Sequence, residues 1–257
     1  MSMHEGQKHA LTNLSKIALC GASIVKGLER YNDVWQKHFV PLKTINLGIP
    51  GDKTQHILWR MEDIELPSSI EFFFIHCGTN NILSSKAEDI ADGILSIGAV
   101  VKEKHKDVKV IVGGLLPCQM DGQCKAATTS RVNKYLRQRI RKMKDFFFMD
   151  EGDEWVTDGV LNRNFYYKDL IHLNHEGNLK FADTIIRKLK EIVTSSTSSS
   201  ADTILRIPTR RTPQNVVRRF TRHVPPPPST ATISQPLPSP PAIAAAIPLA
   251  PSPLLRL

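Results

Sequence analysis

Four short blocks of this 257-residue chain carry residue types that together suit nucleophilic acyl transfer. They are Gly21-Ala22-Ser23, Asn46-x-Gly48-x-x-Gly51, Gly78-Thr79-Asn80-Asn81 and Asp169-x-x-His172. A serine hydroxyl is a poor nucleophile until a base takes its proton. His172 is a suitable base, because imidazole titrates near neutral pH. Asp169 can accept from the other ring nitrogen, which fixes the tautomer and stabilises the imidazolium. Attack on an acyl carbon builds a negative oxygen. Candidate donors to it are the backbone N–H of Ser23, the backbone N–H of Gly51 and the side-chain amide of Asn80. Each piece also has a plainer reading. Ser23 fits a helix N-cap, Gly51 a turn, Asn80 or Asn81 a cap, and Asp169 with His172 a surface turn. His76, inside an apolar run, reads as a core or rim histidine rather than a second base. His38, His56, His105 and His175 read as surface or helix residues with no partner evident in the sequence.

The elements that must position these residues alternate regularly. Residues 17–20, 44–47, 70–77, 108–112 and 146–149 are short apolar runs of the kind that form strands buried on both faces. Between them, residues 25–39, 52–61, a segment capped by Ser84 or Ser85 and running to Val101, and 130–144 carry apolar residues at helical spacing. A last helix is predicted from His175 or Glu176 to Val193. Residues 118–128 read as a loop, and 150–168 as a long irregular stretch. Strands alternating with helices predict a parallel sheet covered on both faces, joined by right-handed crossovers. In such sheets ligands bind at the carboxyl ends of the strands, and the four blocks fall at strand ends or just before the last helix. The substrate pocket is expected from the loops after the third and fourth strands and from 150–168.

Composition divides the chain. Residues 15–194 read as one globular domain, after a flexible N-terminus over 1–14. Thirteen of the seventeen prolines follow residue 194, behind the serine-rich run 195–200, so 195–257 is predicted to be a disordered tail. The formal net charge is +9. The tail supplies +6 of it, from seven arginines and one aspartate, and residues 1–194 supply +3. Arg206 to Arg222 could contact nucleic acid, an acidic partner or an anionic membrane, or serve only as a solvated arm. Cys20 and Cys77 read as buried small hydrophobes, and Cys118 and Cys124 are not spaced as a zinc knuckle. The opening residues lack the apolar core of a secretory signal, and no run reaches the roughly 18 apolar residues of a membrane span. A reduced, cytoplasmic setting is expected.

Taken in order, the four blocks resemble those of the SGNH/GDSL-type hydrolases. The closer likeness is to the catalytic subunits of intracellular platelet-activating factor acetylhydrolase. It is carried by Trp35 through Pro41-Leu42, by the run from Asn46 to Arg60, by Gly78-Thr79-Asn80-Asn81 and by Gly114-Leu115-Leu116-Pro117, within residues 15–193. The resemblance implies a three-layer α/β/α sandwich, flavodoxin-like, with a five-stranded parallel sheet. It implies Ser23 as nucleophile, Asp169 and His172 as its triad partners, and Ser23, Gly51 and Asn80 as the oxyanion hole. No metal or organic cofactor is implied. The activity implied is hydrolysis of carboxylic esters, short-chain or acetyl, on lipids or sugars, and the acetylhydrolase subunits pair as dimers. One departure is Ala22, where the family usually has Asp. Ala22 and the appended tail motivate an alternative: a weakly active or inactive binding protein with the same fold. Related domains occur in retrotransposon first-open-reading-frame proteins, where such a tail would bind nucleic acid.

Overall fold

The computed structural model describes residues 3–10, 14–150, 153–157 and 160–202. The expected tail lies almost wholly outside the described residues. A first helix, α1 (Met3–Ala10), lies in the stretch expected as a flexible N-terminus. His4 anchors it: its ring stands 5.2 Å from that of Trp59, and its Nε2 lies 2.7 Å from Asp63 Oδ2.

The first strand, β1 (Ile17–Gly21), is buried along its whole length. The predicted helix over 25–39 is two helices, α2 (Ser23–Gly27) and α3 (Asn32–His38). They are separated where Tyr31 takes an extended backbone (φ −105°, ψ 105°). Its hydroxyl hydrogen-bonds that of Tyr167, a partner local periodicity cannot reveal. Next come β2 (Thr44–Gly48), α4 (Thr54–Asp63), β3 (Phe72–His76), α5 (Ala87–Lys104) and β4 (Lys109–Gly113). Helix α4 starts two residues later than predicted. Its N-cap residue is Lys53, next to Asp52, and the side-chain oxygen of Asn81 accepts the Thr54 N–H at 3.0 Å. Neither Ser84 nor Ser85 caps α5, whose N-cap is Lys86 with no side-chain bond.

The predicted loop 118–128 contains a small hairpin, β5 (Gln119–Met120) with β6 (Gln123–Cys124). Asp121 (φ 50°) and Gly122 (φ 70°) form its turn, the left-handed pair that suits a two-residue hairpin. Then follow α6 (Ala126–Ile140), β7 (Phe146–Met149), the short antiparallel pair β8 (Val156–Thr157) and β9 (Val160–Leu161), and α7 (His175–Asp202). Helix α7 runs past the expected end at Val193. Thr194 and Ser195 hydroxyls donate to Lys190 and Ile192 carbonyls, each at 3.0 Å, which suits serine and threonine to its last described turns.

Among the described residues the main sheet has five parallel strands in the order β2-β1-β3-β4-β7. Alternate strand residues feed two cores. Ala18, Cys20, Phe73, Ile75, Val110 and Val112 pack with α4, α5 and α6 on one face. Leu19, Phe74 and Ile111 pack with α2, α3 and α7 on the other. This is the expected three-layer sandwich. After β1 the chain adds β2 on one side and then β3 on the other, so β1 and β3 flank the topological switch point, where a ligand crevice forms. Ser23 follows β1 directly.

His76, at the end of β3, is 1% exposed, with its ring 5.0 Å from that of Phe181. Burial pushes its pKa from 6.5 down to about 4, against weaker opposing hydrogen bonds from its own backbone and that of Gly114. The unfolded chain therefore binds this proton more readily than the folded one. Stability from a neutral His76 is complete above pH 6.5 and falls as pH drops toward 4. At ~1.4 kcal/mol per pH unit the loss is about 3 kcal/mol. Urea unfolding at pH 7 and pH 4 should show it, and His76→Phe should lose correspondingly less stability over the same interval. An equal loss in both proteins would refute the assignment.

Candidate active site

Ser23 and His172, 149 positions apart in the chain, meet at the carboxyl edge of the sheet. His172 Nε2 lies 3.0 Å from Ser23 Oγ, and His172 Nδ1 lies 2.7 Å from Asp169 Oδ2. The other Asp169 oxygen accepts the N–H groups of Ile171 and His172, each at 2.9 Å. Burial raises the Asp169 pKa, but the Ile171 N–H, the His172 ring and the His172 N–H outweigh it and hold the carboxyl below its usual value. Leu170, between them, takes a left-handed backbone (φ 55°) that only surrounding contacts can sustain. Those contacts are present. The Leu170 side chain is buried, its N–H donates to the Tyr167 carbonyl at 2.9 Å, and its carbonyl accepts from Gln119 N–H at 3.0 Å. The Tyr167 N–H closes the loop on the His172 carbonyl at 2.9 Å.

The second block holds Ser23 from the other side. A Cβ on Gly48 would stand 2.6 Å from the Lys26 nitrogen and 3.0 Å from the Ala22 carbonyl, so only glycine lets α2 sit this close to β2. Asn46, 7% exposed, ties the two elements together. Its amide donates to the Val25 carbonyl at 2.8 Å, and its oxygen accepts the Gly48 N–H at 2.9 Å. Next, Ile49-Pro50-Gly51-Asp52 forms a turn with proline second and glycine third, closed by Asp52 N–H to Ile49 carbonyl at 3.3 Å. Gly51 has φ 84°, which that turn position requires. The Ile49 N–H donates to the Gly21 carbonyl at 3.1 Å, which pins the turn to the end of β1.

Asn80 and Asn81 lie in a 3-10 turn after β3 (Thr79–Asn81). The Asn80 amide donates to the Asp52 carbonyl at 2.9 Å, so it is joined to the Gly51 turn. Asn81 accepts the Thr54 N–H at the start of α4, as described above. Ala22 is the N-cap residue of α2, 6% exposed, and makes no side-chain cap bond.

A cavity of about 660 Å³ opens at Ser23 and His172. Its wall includes Ile24, Lys26, Arg30, Pro50, Tyr167 and Leu173. The pocket is therefore built from α2 and the turn after it, the Pro50 turn and residues 167–178; Tyr167 falls in the expected stretch 150–168, whereas the loops after β3 and β4 do not line it. Leu115 and Pro117, in the loop after β4, line a different cavity of about 480 Å³ against α6. Sequence reading missed Lys26, Arg30 and Tyr167. The Arg30 guanidinium lies 5.4 Å from the centre of the Tyr167 ring, and the Tyr167 hydroxyl is the first cause of its raised pKa. The four-residue spacing of Lys26 and Arg30 was the available signal, although α2 ends at Gly27 and Arg30 lies in the turn after it; Tyr167 fell within the stretch 150–168 expected at the pocket. The remaining histidines are less isolated than expected. His175 Nε2 is 2.8 Å from Asp33 Oδ2, and His38 is 9% exposed.

All four cysteines are reduced, with Cys20, Cys77 and Cys118 buried. Among the described residues no cluster of metal-ligating side chains occurs, and no helix is long and apolar enough to cross a membrane.

Comparison with known proteins places the chain in a family. Human platelet-activating factor acetylhydrolase IB subunit alpha2 is 27% identical over 190 residues, covering 73% of this chain and 82% of its own. The bovine alpha1 subunit is 32% identical over 164 residues, covering 63% and 69%. Among solved structures, a GDSL-like lipase from Bacteroides thetaiotaomicron superposes with a TM-score of 0.63 at 19% identity, over 74% of this chain and 96% of that one. A carbohydrate esterase family 3 protein from Talaromyces cellulolyticus gives 0.56 at 16%, over 70% and 99%. The family model described as GDSL-like lipase/acylhydrolase matches residues 19–180, a span that begins in β1 and ends in α7 and so holds all four blocks. With that match across most of the described domain, the chain belongs to the GDSL-like lipase/acylhydrolase family.

Proposed function

We propose that this protein is a serine esterase that hydrolyses carboxylic esters of short acyl groups, acetyl first, through an acyl-enzyme on Ser23. The observation that carries the reading is the continuous hydrogen-bond chain from Ser23 Oγ through His172 to Asp169 at the mouth of the 660 Å³ cavity. Ser23 Oγ attacks the ester carbonyl while His172 Nε2 takes its proton. The resulting imidazolium donates from Nδ1 to Asp169, whose carboxylate the loop N–H groups keep ionised. The carbonyl oxygen, now negative, is received by N–H donors from Ser23, Gly51 and Asn80. His172 then protonates the leaving alcohol, and a water activated by the same imidazole releases the acid. Small acyl groups are favoured by similarity to relatives named acetylhydrolase.

The test is hydrolysis of p-nitrophenyl acetate by the full chain beside Ser23→Ala. Loss of the nucleophile is expected to lower kcat by about 10⁶-fold, to the background set by binding and the oxyanion donors alone. Equal rates in both proteins would refute the proposal. Absence of ester hydrolysis in the folded wild type would favour the binding-protein reading, for which Ala22 at the start of α2 is the motivating departure.

A further inference from the structure

We propose that the buried Arg60–Asp52 ion pair is a positioning device for the oxyanion site, acting through Asn80. The inference rests on the esterase reading above. Arg60, on α4, is 3% exposed, and its Nε and Nη2 approach Asp52 Oδ2 at 2.9 and 2.8 Å. A buried ion pair is a poor source of net stability, because desolvation offsets most of the attraction. What this pair does is fix the backbone of Asp52, and three bonds run from that residue. Its carboxylate oxygen Oδ2 accepts from Arg60 Nε and lies in ion-pair range of Nη2. Its N–H closes the turn that carries Gly51. Its carbonyl accepts from the Asn80 amide at 2.9 Å. Two of the three proposed oxyanion donors are thus joined through one residue, which a guanidinium holds in place.

The geometry gives Asn80 a defined direction. A side-chain amide has two N–H groups. With one committed to the Asp52 carbonyl, the amide cannot rotate freely, and the direction of the second is set. Helix α4 braces the same turn independently. Asn81 accepts the Thr54 N–H at 3.0 Å and donates to Gln55 Oε1 at 3.1 Å, both in the first turn of the helix that carries Arg60. The helix therefore grips the Asn80-Asn81 turn at its start and Asp52 through Arg60. Lysine keeps the charge but not the directed Nε–H bond to Asp52 Oδ2, so it is a partial substitute.

The test is a cycle of variants in the full chain, read by hydrolysis of p-nitrophenyl acetate and by NMR of the Asn80 side-chain amide. Arg60→Met alone leaves the half-buried Asp52 carboxylate without its guanidinium, with only His56 Nδ1 at 3.8 Å beside it, and can fail to fold. The double variant Arg60→Met/Asp52→Asn removes both charges and avoids that cost. It should lower kcat about 10- to 100-fold with KM within about twofold. The same double change in an Asn80→Ala background should cost less than about threefold, because the residue it acts through is gone. Arg60→Lys should recover part of the loss. The Asn80 amide protons should exchange faster with solvent in the double variant than in the wild type. Equal fold-losses in both backgrounds, or an Asn80 amide unchanged in shift and exchange, would overturn the inference. If the wild type hydrolyses no ester, the esterase reading fails by itself, and the amide measurement still decides whether Arg60 and Asp52 position Asn80.

Discussion

Asp169→Asn is expected to lower kcat by roughly 10⁴-fold while leaving the fold and the loop intact. The loop survives because the asparagine oxygen can occupy the Oδ1 position and accept the Ile171 and His172 N–H groups, as the carboxylate does at 2.9 Å. The NH₂ group must then face His172 Nδ1. Since an amide nitrogen only donates, Nδ1 must become the acceptor and the ring proton moves to Nε2. Nε2, 3.0 Å from Ser23 Oγ, would then present a proton where a lone pair is needed. The variant should unfold in urea close to the wild-type midpoint yet hydrolyse p-nitrophenyl acetate at near-background rate. Wild-type activity in Asp169→Asn would show that His172 does not depend on this carboxylate for its tautomer.

Gly21→Ala should give the largest structural effect. Gly21 ends β1 between Gly48 of β2 and His76 of β3. A Cβ there would stand 2.2 Å from the His76 carbonyl oxygen and 2.4 Å from Val25 Cγ2. The first is backbone of the neighbouring strand, and the second belongs to a fully buried side chain of α2. Neither can move without disturbing the sheet or the helix that begins at Ser23. Destabilisation of about 3 kcal/mol or more is expected, at the upper end for overpacking. Esterase activity should fall with it, because the end of β1 carries the nucleophile. Gly6→Ala is the control: nothing lies within 4 Å of its added Cβ, and a helical alanine should leave the urea midpoint unchanged or raise it. A Gly21→Ala protein as stable as the wild type would contradict the packing at this strand end.

The alternation of strands and helices was legible because the sheet strands are short apolar runs, the first four of them closed by glycine. Residues 146–149 form a strand with the predicted bounds. The errors lie where distant partners decide local structure. The break at Tyr31 depends on Tyr167, and the start of α4 on Asn81. The hairpin at Asp121-Gly122 had a readable turn signal. The four blocks could be placed at one sheet edge because parallel strands gather their ends there, and the structure does bring Ser23, His172 and Asp169 within hydrogen-bond distance. What periodicity could not show is how the blocks hold one another. The grip of Arg60 on Asp52 and the bond from Asn80 to the Asp52 carbonyl are long-range pairings of polar side chains, and so is the stacking of Arg30 on Tyr167. The pocket wall was legible in part: Tyr167 of the expected stretch 150–168 lines it, whereas the loops after β3 and β4 are replaced by α2, Arg30 and the Pro50 turn.

The central claim is that an acyl group passes through Ser23. The most direct measurement is acid quenching of the full chain during turnover of p-nitrophenyl acetate, followed by peptide mass mapping. The account predicts one acetyl group on the peptide that spans β1 and α2, localised to Ser23 and absent in Ser23→Ala. Turnover that continues in Ser23→Ala, or an acetyl group found on another residue whose removal abolishes hydrolysis, would contradict it.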